Sequence, residues 1–260
     1  KLLWTFVDGD FLYFIDSTYA LYEYDLNNHK AYFIADMEAE ILRRGEVSSI
    51  IKQKTDYFIG FKSSGLIQLK YMPDSKVKYS LQSINVQSGI FCLMKDRFQD
   101  IIWVGADGQG LYMYFTDEFS IDNIMLDVPE YRVDNPVRAL YQDQDQTLWI
   151  GTKGGGILKM FDFHPDMETL PRAERILASN SPLMDNSVYS FAPSRRKLLW
   201  IGTESGLNYY SYSQKRIQEF PVMADGKMVK YVHSVRETND STLWVVSALS
   251  LIHISEPTRH

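Results

Sequence analysis

The chain has 260 residues, 45% hydrophobic and 14% aromatic, with 27 basic against 33 acidic side chains; this is globular composition and excludes disorder. A net charge of −6, with no basic run longer than Arg195-Arg196-Lys197, argues against a nucleic-acid surface, which needs clustered Lys and Arg. One cysteine, Cys92, excludes an internal disulfide and a thiolate metal site, and it reads as a small core residue.

In chain order, residues 4–7, an Asp8-Gly9-Asp10 turn, and residues 11–15 and 21–24 read as hairpin-linked strands. From there one phrase recurs. It opens as Leu12-Tyr13-Phe14-Ile15 with Ala20-Leu21, and returns as Tyr57-Phe58-Ile59-Gly60 with Gly65-Leu66. Its clearest copies are Ile102-Trp103-Val104-Gly105 with Gly110-Leu111, Leu148-Trp149-Ile150-Gly151-Thr152 with Gly156-Ile157, and Leu199-Trp200-Ile201-Gly202-Thr203 with Gly206-Leu207. A last copy starts at Leu243-Trp244-Val245-Val246. The anchors Tyr13, Phe58, Trp103, Trp149, Trp200 and Trp244 follow one another at 45, 45, 46, 51 and 44 residues.

A period near 45 residues suits four short strands and tight turns, the unit of a propeller blade. Helical repeats of that length are excluded by the Trp, Ile, Val, Tyr and Thr content, the period-two alternation and the Asp, Gly and Asn turns. The fourth copy predicts strands at 137–142, 147–152 and 156–161, with polar turns at 143–146 and 153–155 and a fourth strand within 175–178. The predicted architecture is an all-β propeller of four-stranded blades, about five and a half of an expected seven. Its blades lie near 1–37, 38–82, 83–130, 131–180, 181–225 and 226–248. In such a stack the aromatic anchors fill the wedge between sheets, and Gly105, Gly151 and Gly202 let the next sheet approach closely.

Catalytic, cofactor and metal chemistry is not expected. His29, His164 and His233 lie far apart and without zinc-motif spacing. Lys153-Gly154-Gly155-Gly156 separates two strands and is a turn, not a phosphate loop. Asp143-Gln144-Asp145-Gln146 lacks the Gly and Glu of a calcium loop and is also a turn. Ligand groups are sought where the connections into each first strand meet the turns between second and third strands. There the sequence places Asn135, Arg138, Asn186, Tyr189 and His233, with Asp107, Gln109, Lys153 and Glu204 in the turns. Arg138, Tyr189 and His233 each follow a repeated Val (Val137, Val188, Val232), so they are equivalent positions of successive blades. A variable ring of polar and aromatic side chains on a constant scaffold is what a recognition surface would look like.

The phrase Leu-Trp-Ile-Gly-Thr, a short gap and Gly-Leu, after a Val-containing strand and a polar turn, resembles the two-component-regulator propeller repeat over residues 1–248. The resemblance implies the extracytoplasmic, periplasmic sensor region of a hybrid histidine kinase: a non-enzymatic ligand-binding part, recognising oligosaccharides and signalling to a kinase outside this sequence. It also implies a dimeric parent, with further blades and sensor domains as partners of this segment. Neither nucleic acid nor membrane is an expected contact of the segment itself, because the longest apolar stretch, 243–254, carries Ser247, Ser250 and His253 and is shorter than the roughly 20 residues that cross a bilayer. The start at Lys1 inside a strand-like segment reads as that of a fragment. Residues 249–260 depart from the repeat, look like a translated sequencing adapter and are expected to be a non-native tail, leaving the last blade with two strands. Two other classes stay open: a protein-interaction propeller, marked by a large apolar face, and a propeller lyase or glycan hydrolase, marked by converging carboxylates or His.

Overall fold

The structure is a computed structural model describing residues 1–123, 132–164, 171–238, 242–248 and 251–255. Among these residues nearly every element is a strand, and the chain divides into two compact units, Lys1–Ile124 and Met125–His260.

The first unit holds three antiparallel meanders. The first joins β1 (Leu2–Asp8), β2 (Phe11–Asp16), β3 (Ala20–Asp25) and β4 (Lys30–Asp36) in that order. The helix α1 (Glu38–Arg44) follows, absent from the sequence reading. Its local logic is plain: acidic residues open it, Arg43 and Arg44 close it on Glu40, and Gly45 (φ 87°) returns its N–H to Ile41. Next come β5 (Val47–Gln53), β6 (Asp56–Phe61), β7 (Leu66–Tyr71) and β8 (Tyr79–Ile84), then β9 (Ile90–Lys95), β10 (Ile101–Ala106), β11 (Leu111–Phe115) and β12 (Ser120–Asn123).

The second unit repeats the plan. One sheet is β13 (Val137–Gln142), β14 (Leu148–Thr152), β15 (Ile157–Met160) and β16 (Ala173–Ile176); the next is β17 (Val188–Pro193), β18 (Leu198–Thr203), β19 (Leu207–Ser211) and β20 (Arg216–Phe220). A small hairpin, β21 (Met223–Ala224) and β22 (Lys227–Met228), precedes the last sheet of β23 (Val232–Glu237), β24 (Thr242–Ser247) and β25 (Leu251–Ser255). This last sheet differs from expectation. Leu251-Ile252-His253-Ile254 alternates as a strand does, pairs Leu251 with Val246, and packs Ile252 and Ile254 onto the core, so the sheet has three strands rather than two. Residues 249–250 and 256–260 lie outside the described set.

Each core is shared by two consecutive sheets, as propeller blades require. Tyr13, Ile15 and Leu21 pack with Val47, Tyr57 and Ile59; Phe58 and Leu66 with Ile90, Ile102 and Tyr114; Trp149 and Ile157 with Val188, Ile201 and Tyr210; Trp200 and Leu207 with Val232 and Val245. The second strands are buried on both faces, which is why they read as continuous apolar runs. Tyr13, Phe58, Trp103, Trp149 and Trp200 are at most 2% exposed. Trp244 departs from the series at 37% exposed: the other anchors of its unit meet rings or carboxylates of a following sheet, and among the described residues no sheet follows β24 and β25 in that unit.

The glycines behave as the packing argument requires. A Cβ on Gly60 would stand 2.8 Å from Ile90 Cγ2, and one on Gly151 2.8 Å from Val188 Cγ1. On Gly202 it would meet the Val232 carbonyl oxygen, part of the neighbouring backbone. In each case the aliphatic residue opening the next first strand occupies the space a side chain would need.

Candidate functional site

Those same aliphatic residues fix the candidate site. In all six sheets the pairing of first with second strand skips one residue immediately after them: Leu3, Ser48, Phe91, Arg138, Tyr189 and His233. Each is the extra residue of a β-bulge, which bends the strand and re-aims one side chain while the rest of the ladder continues. Val47, Ile90, Val137, Val188 and Val232 are buried, whereas their bulged successors are partly or fully exposed. The bulge thus separates two tasks, sealing the adjacent blade and presenting a variable side chain.

The turns between second and third strands are pinned beside these bulges by backbone bonds. Lys153 N–H donates to Pro136 of its own connection, and the Gly154 and Gly156 N–H groups donate to Asn186 of the next one. Glu204 N–H donates to Ser187, while its carbonyl accepts from Tyr231. The first unit repeats this with Lys62 N–H to Glu46 and Gly65 N–H to Ser88.

Seven of the nine positions singled out from the sequence lie in the second unit, and they take different roles. Tyr189 and His233 stack at 4.9 Å between ring centroids, tilted by 42°. The Tyr189 hydroxyl donates to Glu204 Oε2 at 2.9 Å. Burial, then the Glu204 carboxylate, pushes the Tyr189 proton affinity up to about 12, with the Arg138 guanidinium acting in the opposite sense. Arg138, Tyr189, His233 and Glu204 therefore form one polar and aromatic patch. Lys153 is exposed in its turn. Asn186 braces the turn: its backbone carbonyl holds the glycine turn and its side-chain oxygen accepts from Ala178 N–H. Asn135 packs so closely against Gly155 that no Cβ fits there.

In the first unit, Asp107 is exposed and its N–H is tied to Gly89. Gln109 accepts from the Tyr112 hydroxyl and, through its carbonyl, from Asn123. The sequence reading missed Leu3, Ser48 and Phe91, although the aliphatic residue at the head of each first strand marks them. It also missed a partly buried ionic chain at the other ends of these strands. Lys95 and the Lys52 N–H meet Asp8, Lys52 Nζ meets Glu23 at 2.8 Å, and Tyr57 donates to Glu23 at 2.6 Å. Among the described residues no three His, Cys, Asp or Glu side chains are placed to hold a metal ion.

Comparisons with known proteins agree with this architecture. Residues 132–154 match the family model described as Two component regulator propeller. Histidine kinase P4 of Formosa agariphila is 27% identical over 184 residues, 69% of this chain and 13% of that protein. Among solved structures, the extracellular domain of a protein assigned to the hybrid two component systems of B. thetaiotaomicron superposes with a TM-score of 0.63 at 15% identity. It is matched over 94% of this chain and 32% of its own. The Myceliophteria thermophila Cps50 (Swd1) β-propeller domain superposes with a TM-score of 0.61 at 9% identity, over 92% of this chain and 77% of its own. At such identities the superpositions speak for the fold, and the chain spans a small part of the kinase it matches. No helix among the described residues is long and apolar enough to cross a membrane. Residues 132–154 thus carry a two component regulator propeller repeat, the kind that the recurring Leu-Trp-Ile-Gly-Thr phrase resembles.

Proposed function

We propose that this chain is a ligand-sensing propeller from the periplasmic region of a membrane-bound sensor histidine kinase, recognising an oligosaccharide through the bulge residues of successive blades. The observation that carries the reading is a patch in which strand bulges present Arg138, Tyr189 and His233 from consecutive first strands and Glu204 joins them from a turn. The paired rings offer a platform for the C–H face of a sugar, and the guanidinium and carboxylate offer planar partners for its hydroxyls. Lys153 is exposed in the turn whose backbone bonds to Pro136, just ahead of the strand that carries Arg138. The exposed Asp107 and Gln109 supply the corresponding turn residues of the first unit.

The chain acts in this reading as a binder rather than a catalyst, and the kinase reaction belongs to the parent protein. Binding would bias one arrangement of a dimeric parent, and it can do so only by as much as the ligand's affinity differs between the two arrangements.

Calorimetric titration with a panel of oligosaccharides tests the reading. At least one should bind saturably in the micromolar to millimolar range, about −8 to −4 kcal/mol. Tyr189→Ala and His233→Ala should each weaken it about 10- to 100-fold, roughly 1.4 to 2.7 kcal/mol, with the fold kept. A folded chain that takes up none of the panel, or binds equally well in both variants, contradicts it.

A further inference from the structure

A second cleft, of about 400 Å³, lies in the second unit at the opposite ends of the strands from the bulges, between the sheet of β13–β16 and that of β17–β20. Its floor is Lys159, a residue only 7% exposed. Lys159 lies directly across the ladder from Glu174, a position where unlike charges ordinarily pair. They do not pair here. The ammonium sits instead among three rings, 4.7 Å from the Trp149 centroid, 4.8 Å from Phe161 and 4.6 Å from Tyr210. Its one hydrogen bond among the described residues is to the Tyr210 hydroxyl, at 3.2 Å, which leaves two N–H donors unspent.

The walls repeat this restraint. Arg172 lies over Phe161 at 4.1 Å, and neither it nor Lys215 forms an ion pair among the described residues; the same holds for Asp145, Asp162 and Glu174. Asp143 is occupied, accepting from the Trp149 indole, the Tyr212 hydroxyl and the turn amides. Burial lowers the Lys159 proton affinity, outweighing the Glu174 and Asp143 carboxylates, which act in the opposite sense without bonding to the ammonium.

A cleft that holds cations and carboxylates apart, over an aromatic floor, is complementary to a small molecule carrying both signs. We infer that this cleft binds a small zwitterion of the α-amino acid class, its carboxylate on Lys159 and Arg172 and its ammonium on Glu174 and Asp145. The inference is independent of the oligosaccharide reading, since it uses none of the same residues.

The test is titration of the whole chain, followed by NMR, with glycine and L-leucine, and with acetate and methylammonium as their single-charge halves. An amino acid should saturate and bind at least about tenfold more tightly than either half. Lys159→Met and Glu174→Gln should each abolish this; Glu174 is exposed, so its variant decides the matter if Lys159→Met does not fold. The inference is overturned by no saturable change up to about 10 mM, by acetate binding as tightly as the amino acid, or by unchanged affinity in Glu174→Gln.

Discussion

Gly202 shows how one residue type can be dictated by a neighbour distant in sequence. Its missing side chain is space already taken by the Val232 carbonyl, backbone that cannot rotate away. Gly202→Ala should therefore destabilise the chain by about 1 to 3 kcal/mol, read as a lower urea midpoint at unchanged slope. The phrase Trp-Ile-Gly-Thr made this contact legible without coordinates, because only close approach explains a Gly held at one place in a buried strand. Trp149 is equally legible as a wedge, but its polar half was not. The indole donates to Asp143 at 3.1 Å, and Trp103 does likewise to Asp96, at 2.9 Å, each aspartate also bonding the amides of its own turn. Spacing alone cannot say that an acidic turn residue folds back onto an indole. Trp149→Ala should cost about 3 to 5 kcal/mol, and Trp149→Phe about 1 to 3, the latter from the lost indole hydrogen bond to Asp143 and the smaller ring. A double-mutant cycle with Asp143→Ala would show whether the second cost comes through that bond.

The strand pattern and the turns were readable because alternation and Asp or Gly punctuation are local signals. The bulges were not, since a one-residue slip in pairing depends on what the second strand offers. Arg138, Tyr189 and His233 were found through their position after a repeated Val, yet the reason they differ from their neighbours emerges only from the register. The same logic hid the structural contacts of Asn135 and Asn186, of which one packs on a glycine turn and the other braces it. The third strand of the last sheet was missed for a complementary reason: a segment that breaks the repeat can still alternate as a strand. Elements should differ in protection accordingly. Amides of β14 and β18, buried on both faces, should exchange near the global unfolding limit, while those of the exposed β21–β22 hairpin exchange orders of magnitude faster. Hydrogen exchange read by mass spectrometry checks this ordering, and equal protection of the two would contradict it.

For the whole molecule, the titration behaviour is dominated by tyrosines. Burial, foremost, raises the proton affinity of Tyr13, Tyr57, Tyr114, Tyr210 and Tyr212 as well as Tyr189. The folded chain thus holds these protons more tightly than the unfolded chain, whose tyrosines ionise near about 10. Their contribution to stability is complete below that pH and is lost as pH rises through the folded values, about 12 for Tyr189. Urea midpoints should be level from pH 8 to about 10 and fall steeply above it; a profile flat to about 12 would show these hydroxyls to be solvated.

The proposed sensing rests on the patch of Arg138, Tyr189, His233 and Glu204, and His233 reports on it from within. The imidazole resonances of His233 and His29 should be followed while an oligosaccharide that binds is titrated in, His29 of the first unit, beside Tyr24, belonging to no part of the proposed patch. The predicted result is a saturable shift of His233 with His29 unmoved, abolished in Tyr189→Ala. Saturable binding that leaves His233 still would place the ligand elsewhere and contradict the account.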